Sequence, residues 1–172
     1  LDSRYKLTEE YAIRFNLAKN YRVPTFNDLY WHAGGNEDLN VEESMQYELA
    51  WQWNKGNYGF ELTGYFIKSE DMIKWVPQGS IWIPRNISKA ENYGAEFEAF
   101  YAYHWNKQSL RLDAAYAYTK AVDKELDKQL IYVPYHKLTG SLTYKIKEWQ
   151  INYTTIYNGE INTSTDNKNK LK

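Results

Sequence analysis

The chain has no cysteine, only 4 proline and 9 glycine residues among 172, almost no net charge and no long apolar run. Each scarcity removes a class of protein. Without cysteine there is no disulfide framework and no thiolate-held zinc. A formal charge of -1, from 21 Lys and Arg against 22 Asp and Glu, leaves no basic stripe, so no nucleic acid partner is expected. No stretch approaches the ~18 consecutive apolar residues of a membrane helix. The first residues show no basic segment leading into an apolar one, so no signal peptide is read there. The mean hydropathy of -0.76 is that of a very polar chain. None of this excludes a transmembrane β-barrel, in which only alternate residues face lipid.

What the chain has in excess is aromatic side chains, 17 Tyr and 7 Trp among them, set at period two. In residues 45–53, Met45, Tyr47, Leu49, Trp51 and Trp53 alternate with Gln46, Glu48, Ala50 and Gln52, which predicts a strand with one apolar and one polar face. The same alternation runs through residues 11–17, 58–66, 93–103, 110–118, 138–144 and 149–157, and residues 1–7 read as the end of a further strand. That makes about eight strands and no helix. Connections alternate between short ones, near Thr8, Asn54, His104 and Lys145, and long ones at 20–43, 70–92 and 120–136. In an up-and-down antiparallel sheet alternate connections lie at opposite ends, so one end carries tight turns and the other long loops, the asymmetry of an outer-membrane barrel.

A soluble sandwich also alternates, but its apolar face is a packed core rich in Val, Ile and Leu. Here Tyr and Trp gather at strand ends, at Trp51, Trp53, Tyr58, Tyr101, Tyr103, Tyr116, Tyr118, Tyr144 and Trp149, as in an aromatic girdle at headgroup level. The opposite face, with Arg14, Glu48, Glu61, Glu96, Glu98, Arg111, Asp113 and Lys137, is suited to line a lumen.

The segment Tyr21-Arg22-Val23-Pro24-Thr25-Phe26-Asn27-Asp28-Leu29-Tyr30-Trp31, followed by Gly35-Asn36-Glu37-Asp38-Leu39 and by Glu42, Ser44 and Tyr47-Glu48-Leu49, resembles the signature of TonB-dependent outer-membrane receptors. It departs at Glu37 and Val41, where the family usually has proline, and at Val23, where it has alanine. The stretches beginning at Asp71, Asn86 and Leu130 resemble the same receptors, so the likeness covers nearly the whole chain. The resemblance implies an all-β fold: an antiparallel up-and-down transmembrane β-barrel segment, about eight strands of a larger barrel of twenty-two strands. Residues 1–172 are then a partial receptor barrel domain, with the plug domain and final strands absent. A closed barrel of eight strands is the competing architecture.

The resemblance also implies function: a cell outer membrane receptor segment of a Gram-negative bacterium, for energy-dependent uptake of a scarce nutrient such as a ferric siderophore or cobalamin. The implied partners are outer-membrane lipid, the TonB complex through the missing plug, and a small-molecule ligand held by long extracellular loops. The residues expected to touch it are Tyr30, Trp31, His32 and Asn36 in the first loop and Trp75, Trp82 and Arg85 in the second, Arg85 serving anionic groups. No cofactor is expected beyond a transported ferric siderophore, cobalamin or haem, and no metal site, since His32, His104 and His136 lack ligand spacing. No serine has a nucleophile-elbow context, and an enzyme is not expected. Two alternatives stand beside this reading. One is a haem-uptake receptor using His32, imidazole being an axial haem ligand. The other is a soluble carbohydrate-binding module with Trp75, Trp82 and Tyr135 as stacking platforms.

Overall fold

The computed structural model describes residues 1–171, the side chain of residue 88 excepted. Eight strands follow one another across a single antiparallel sheet: β1 (Asp2–Lys6), β2 (Tyr11–Arg22), β3 (Glu42–Lys55), β4 (Tyr58–Gln78), β5 (Ile81–Trp105), β6 (Gln108–Asp123), then β8 (His136–Ile146) and β9 (Trp149–Asn158). The two-residue β7 (Lys128–Gln129) pairs with the end of β6, and β10 (Ile161–Asn162) pairs with β11 (Lys170–Leu171) as a separate ribbon. Sequence order and spatial order coincide, as the up-and-down reading requires. The sheet does not close on itself: β1 and β9 are its edges.

Twist-compatible turns hold this register. The hairpins after β3, β4, β5 and β8 each turn on two residues, and the first of each pair sits at positive φ: Gly56 (58°), Gly79 (63°), Asn106 (50°) and Lys147 (52°). Positive φ there matches the right-handed twist of the flanking strands. Glycine and asparagine take it readily, while Lys147 has a Cβ working against it.

The connection expected over residues 70–92 is not a loop. β4 runs 21 residues and β5 runs 25, so their pairing continues to Gln78 opposite Ile81, forming a hairpin that stands far beyond its neighbours. Pro77 and Pro84 and the polar residues between them break the simple alternation and hide these strand ends from periodicity. The first long connection likewise holds a helix the alternation did not show, α1 (Phe26–Tyr30).

In the wall of the sheet both faces are open. Tyr47, Leu49 and Trp51 on one face are 43%, 58% and 43% exposed. They belong to ring ladders that cross the strands, Tyr47 with Phe66 at 6.3 Å and Phe66 with Tyr93 at 6.4 Å near the loop end. Near the tight turns Trp53 meets Tyr58 at 5.4 Å and Trp105 meets Tyr144 at 6.1 Å. Tyr93 to Tyr101 on β5 spans about 26 Å along the strand, enough for a tilted strand to cross the apolar band. The other face carries a polar network: Arg14 meets Glu61 at 3.1 Å, Thr63 Oγ1 donates to the same carboxylate at 3.1 Å, and Asn16 donates to Glu48 at 3.2 Å. A sandwich would cover the aromatic face with a second sheet; here, among the described residues, nothing does. No helix among them is long and apolar enough to cross a membrane, which says nothing about strands. The main buried apolar cluster, Ile87, Ala90, Ala121 and Leu130 with Met72 and Val133 against it, lies at the base of the long connections.

Candidate ligand-binding surface at the loop end

The first connection is tied down at its start. Thr25 is the N-cap of α1: its hydroxyl accepts from the Asp28 N–H, and the Asp28 carboxylate accepts from the Thr25 N–H at 2.9 Å and from its hydroxyl at 2.8 Å. This is a capping box with aspartate in the usual glutamate position. Asp28 is only 4% exposed, and its second oxygen accepts from the Trp75 indole N–H at 2.8 Å. Burial alone would raise the Asp28 carboxyl. Hydrogen bonds from Thr25 and Trp75, with the nearby Arg22 charge, outweigh it and hold the group below its ordinary value.

A second set of bonds seats the same connection on the tall hairpin. Arg22 donates to the Ile73 carbonyl at 2.8 Å and pairs with Glu42 at 3.2 Å, while the Ile73 N–H donates to Glu42 at 3.0 Å. Asn36 donates to the Pro84 carbonyl at 3.3 Å, and the Asn40 N–H donates to the Asn86 side chain at 2.9 Å. Gly34 has no room for a side chain: a Cβ there would lie 2.8 Å from the Trp82 carbonyl and 2.9 Å from Ile83. The turn from Trp31 to Gly35 therefore rests directly on the hairpin tip.

The third connection packs on the hairpin as well. Lys74 donates to the Ile131 carbonyl at 3.1 Å, Leu130 joins Ile87 in the buried cluster, and the Tyr132 ring lies 6.0 Å from Trp82. Tyr132 holds φ of 61° and stays 52% exposed, while its N–H donates to the Asn162 carbonyl at 2.9 Å. A bulky residue at positive φ is strained backbone kept by its surroundings. Burial pushes the Lys74 ammonium down to about 8, against the opposing pull of Asp123.

All seven sequence-nominated residues thus fall on one body, though in two kinds of position. Tyr30 at the end of α1, Trp31 and His32 beyond it, and Trp82 and Arg85 on the hairpin are exposed. Trp31 and His32 pair at 5.0 Å. Asn36 and Trp75 are half-buried, with their polar groups turned to Pro84 and Asp28. The alternation missed Asp28, Lys74 and Tyr132. Asp28 carried a signal, Thr25-x-x-Asp28; Tyr132 carried none, because its φ is imposed from outside its own segment.

The family described as "TonB dependent receptor-like, beta-barrel" matches residues 1–172. The chain belongs to this family. Among curated proteins it is 33% identical, over 99% of its length, to the Vitamin B12 transporter BtuB of Photobacterium profundum, of which it covers 28%. It is 37% identical over 47% of its length to the Vitamin B12 transporter BtuB of Vibrio vulnificus, of which that match covers 14%. Its fold superposes on the siderophore receptor PirA from Acinetobacter baumannii with a TM-score of 0.72 at 19% identity, covering 93% of this chain and 28% of that one. The Copper transporter OprC gives 0.72 at 20% identity, covering 92% and 25%. The chain therefore spans between a quarter and a third of the length of the relatives it matches nearly end to end, and its open sheet is a wall segment of a TonB-dependent receptor barrel. In that frame the aromatic face is the lipid side, the Arg14–Glu61 face is the lumen side, and the tall hairpin with its two neighbouring connections stands at the loop end.

Proposed function

We propose that this chain forms part of the wall and of the extracellular binding surface of an outer-membrane receptor for energy-dependent nutrient uptake, with a corrinoid of the vitamin B12 type as ligand. The observation that carries the reading is the union of three connections into one bonded body at the loop end of a lipid-facing wall. Identity of 33% to a protein named as a vitamin B12 transporter, across 99% of this chain, supports the corrinoid over a ferric siderophore or haem. Tyr30, Trp31, His32, Trp82 and Arg85 contact the ligand from this side, and Trp75 and Asn36 hold the surface in shape. The receptor sits in the outer membrane of a Gram-negative bacterium, contacts lipid through its aromatic face, and engages the TonB complex through a plug domain carried by other parts of the protein. It does no chemistry on its ligand.

The test is equilibrium binding of cyanocobalamin to the full-length receptor in detergent, with uptake of labelled cyanocobalamin by cells with and without a functional TonB complex. Saturable binding and TonB-dependent uptake are expected. Binding of a ferric siderophore or haem with no affinity for cyanocobalamin would move the ligand assignment within the family, and uptake that ignores TonB would overturn the transport reading.

A further inference from the structure

A cleft of about 350 Å³ opens between the tall hairpin and the third connection. Its wall includes Lys74, Arg85 and Lys128 together with Asp123 and Glu125, and its apolar part includes Val76, Pro77, Ile87, Leu130 and Ile131. Among the described residues none of the three cations is in an ion pair with a carboxylate, whereas several other lysines here are, such as Lys19 with Glu43 at 2.9 Å, Lys68 with Glu70 at 3.1 Å and Lys124 with Glu91 at 3.1 Å. Arg85 has a neutral partner, the Gln78 side chain at 2.6 Å. Lys74 gives one of its three N–H donors to the Ile131 carbonyl. Asp123 turns inward on its own chain, accepting from the N–H groups of Glu125 at 2.9 Å and Leu126 at 3.2 Å.

A half-buried ammonium and an exposed guanidinium facing one cleft, with donors to spare, are an unfinished anion site. The depressed Lys74 value agrees with that: its charge is desolvated, Asp123 offsets this only in part, and among the described residues no carboxylate forms an ion pair with it. The rim adds a second feature. Trp82 is the cross-strand partner of Pro77, Tyr132 follows Ile131, and both of those neighbours line the cleft. The exposed Tyr132 and Trp82 rings, 6.0 Å apart, thus belong to residues adjacent to its lining.

Resting on the receptor reading above, we infer that this cleft binds an anionic oxygen group of the transported ligand through Arg85, Lys128 and Lys74, with the Trp82–Tyr132 pair against the ligand's apolar or conjugated part. The anionic group is a phosphodiester in a corrinoid or a catecholate in a siderophore. Asp123 and Glu125 leave the lining only slightly positive, which favours a singly charged or charge-delocalised group over a free inorganic anion.

The test compares the full-length wild type with the Arg85→Gln/Lys128→Gln double variant, both cations being exposed and unneeded for the strand register, and with Lys124→Gln as a control outside the cleft. Dissociation constants are measured for cyanocobalamin and for ferric enterobactin at low and high salt. For the probe the wild type binds, the double variant should bind about tenfold more weakly and show a flatter salt dependence, while Lys124→Gln stays within about twofold. Whether that probe is cyanocobalamin or ferric enterobactin tells which anion the cleft takes. Equal binding by wild type and double variant, or an equal loss in Lys124→Gln, overturns the inference and leaves the receptor reading intact. Binding of neither probe by the wild type overturns the corrinoid assignment and this inference with it.

Discussion

At the scale of single residues, two positions show how much the sheet leaves to one atom. Tyr65, Gly94 and Thr119 stand in one row across β4, β5 and β6, and the Tyr65 hydroxyl reaches over Gly94 to hydrogen-bond Thr119 at 2.7 Å. A Cβ on Gly94 would collide with the Tyr118 carbonyl, backbone that has nowhere to go, and would lie 2.8 Å from that same hydroxyl. Gly94→Ala should therefore destabilise the folded receptor by about 2–3 kcal/mol, read as a lower midpoint in urea unfolding of the barrel refolded in detergent. Lys147 is the opposite case. Its φ of 52° fits the turn but strains a side-chain-bearing residue, so Lys147→Gly should raise stability by about 1 kcal/mol in the same assay; a fall instead would mean the lysine has a compensating contact. Neither position was visible as such in the sequence, where Gly94 read as one more small residue in a strand and Lys147 as one residue of a polar turn.

At the scale of elements, α1 is too short to persist by itself. It exists because Thr25 and Asp28 cap each other and because Trp75 reaches the same carboxylate from the hairpin. Asp28→Ala should speed amide exchange across residues 25–36 while leaving β2 and β3 protected; unchanged exchange would show that Asn36 and Asn40 suffice as tethers. The pH dependence has a definite sign. Asp28 titrates below its unfolded value near 3.8, so its contribution to docking is complete above that value and is lost as pH falls through the lower folded one. Lys74 works the other way: folding lowers it from 10.5 to about 8, so the penalty for burying its charge is present below pH 8 and disappears as pH rises to 10.5. Exchange in residues 128–133 should accordingly slow, relative to intrinsic rates, between pH 8 and 10.5.

At the scale of the whole molecule, the wall makes sense only with lipid on one side and a filled or aqueous lumen on the other. Trp51, Trp53, Trp105 and Trp149 share the outward face near the tight turns, whereas Trp75 is committed to Asp28 inside the loop body. In bilayers of lipid brominated near the headgroup, fluorescence of the first four should be quenched and that of Trp75 retained, as measured on single-tryptophan receptors; equal quenching of Trp75 would contradict the placement of the hairpin. The edges are equally exposed in their logic. β1 and β9 each present one unpaired row of backbone groups, and β9 is exposed along its whole length. Residues 1–172 produced alone should associate edge to edge rather than run as a monomer in detergent.

The sequence alone determined the strand-by-strand alternation, the up-and-down order, the sorting of aromatic and charged side chains onto two faces, and which end carries the long connections. These are properties of neighbours two residues apart or of loop length, and a linear reading contains them. The tertiary structure alone decided that the second connection is a hairpin rather than a loop, that Trp75 and Asn36 hold the surface together while Trp82 and Arg85 stay outside, and that Lys74, Arg85 and Lys128 meet at one cleft. Those outcomes depend on segments distant in the chain coming to rest on one another, and the burial of Lys74 and the backbone strain at Tyr132 arise only once they do.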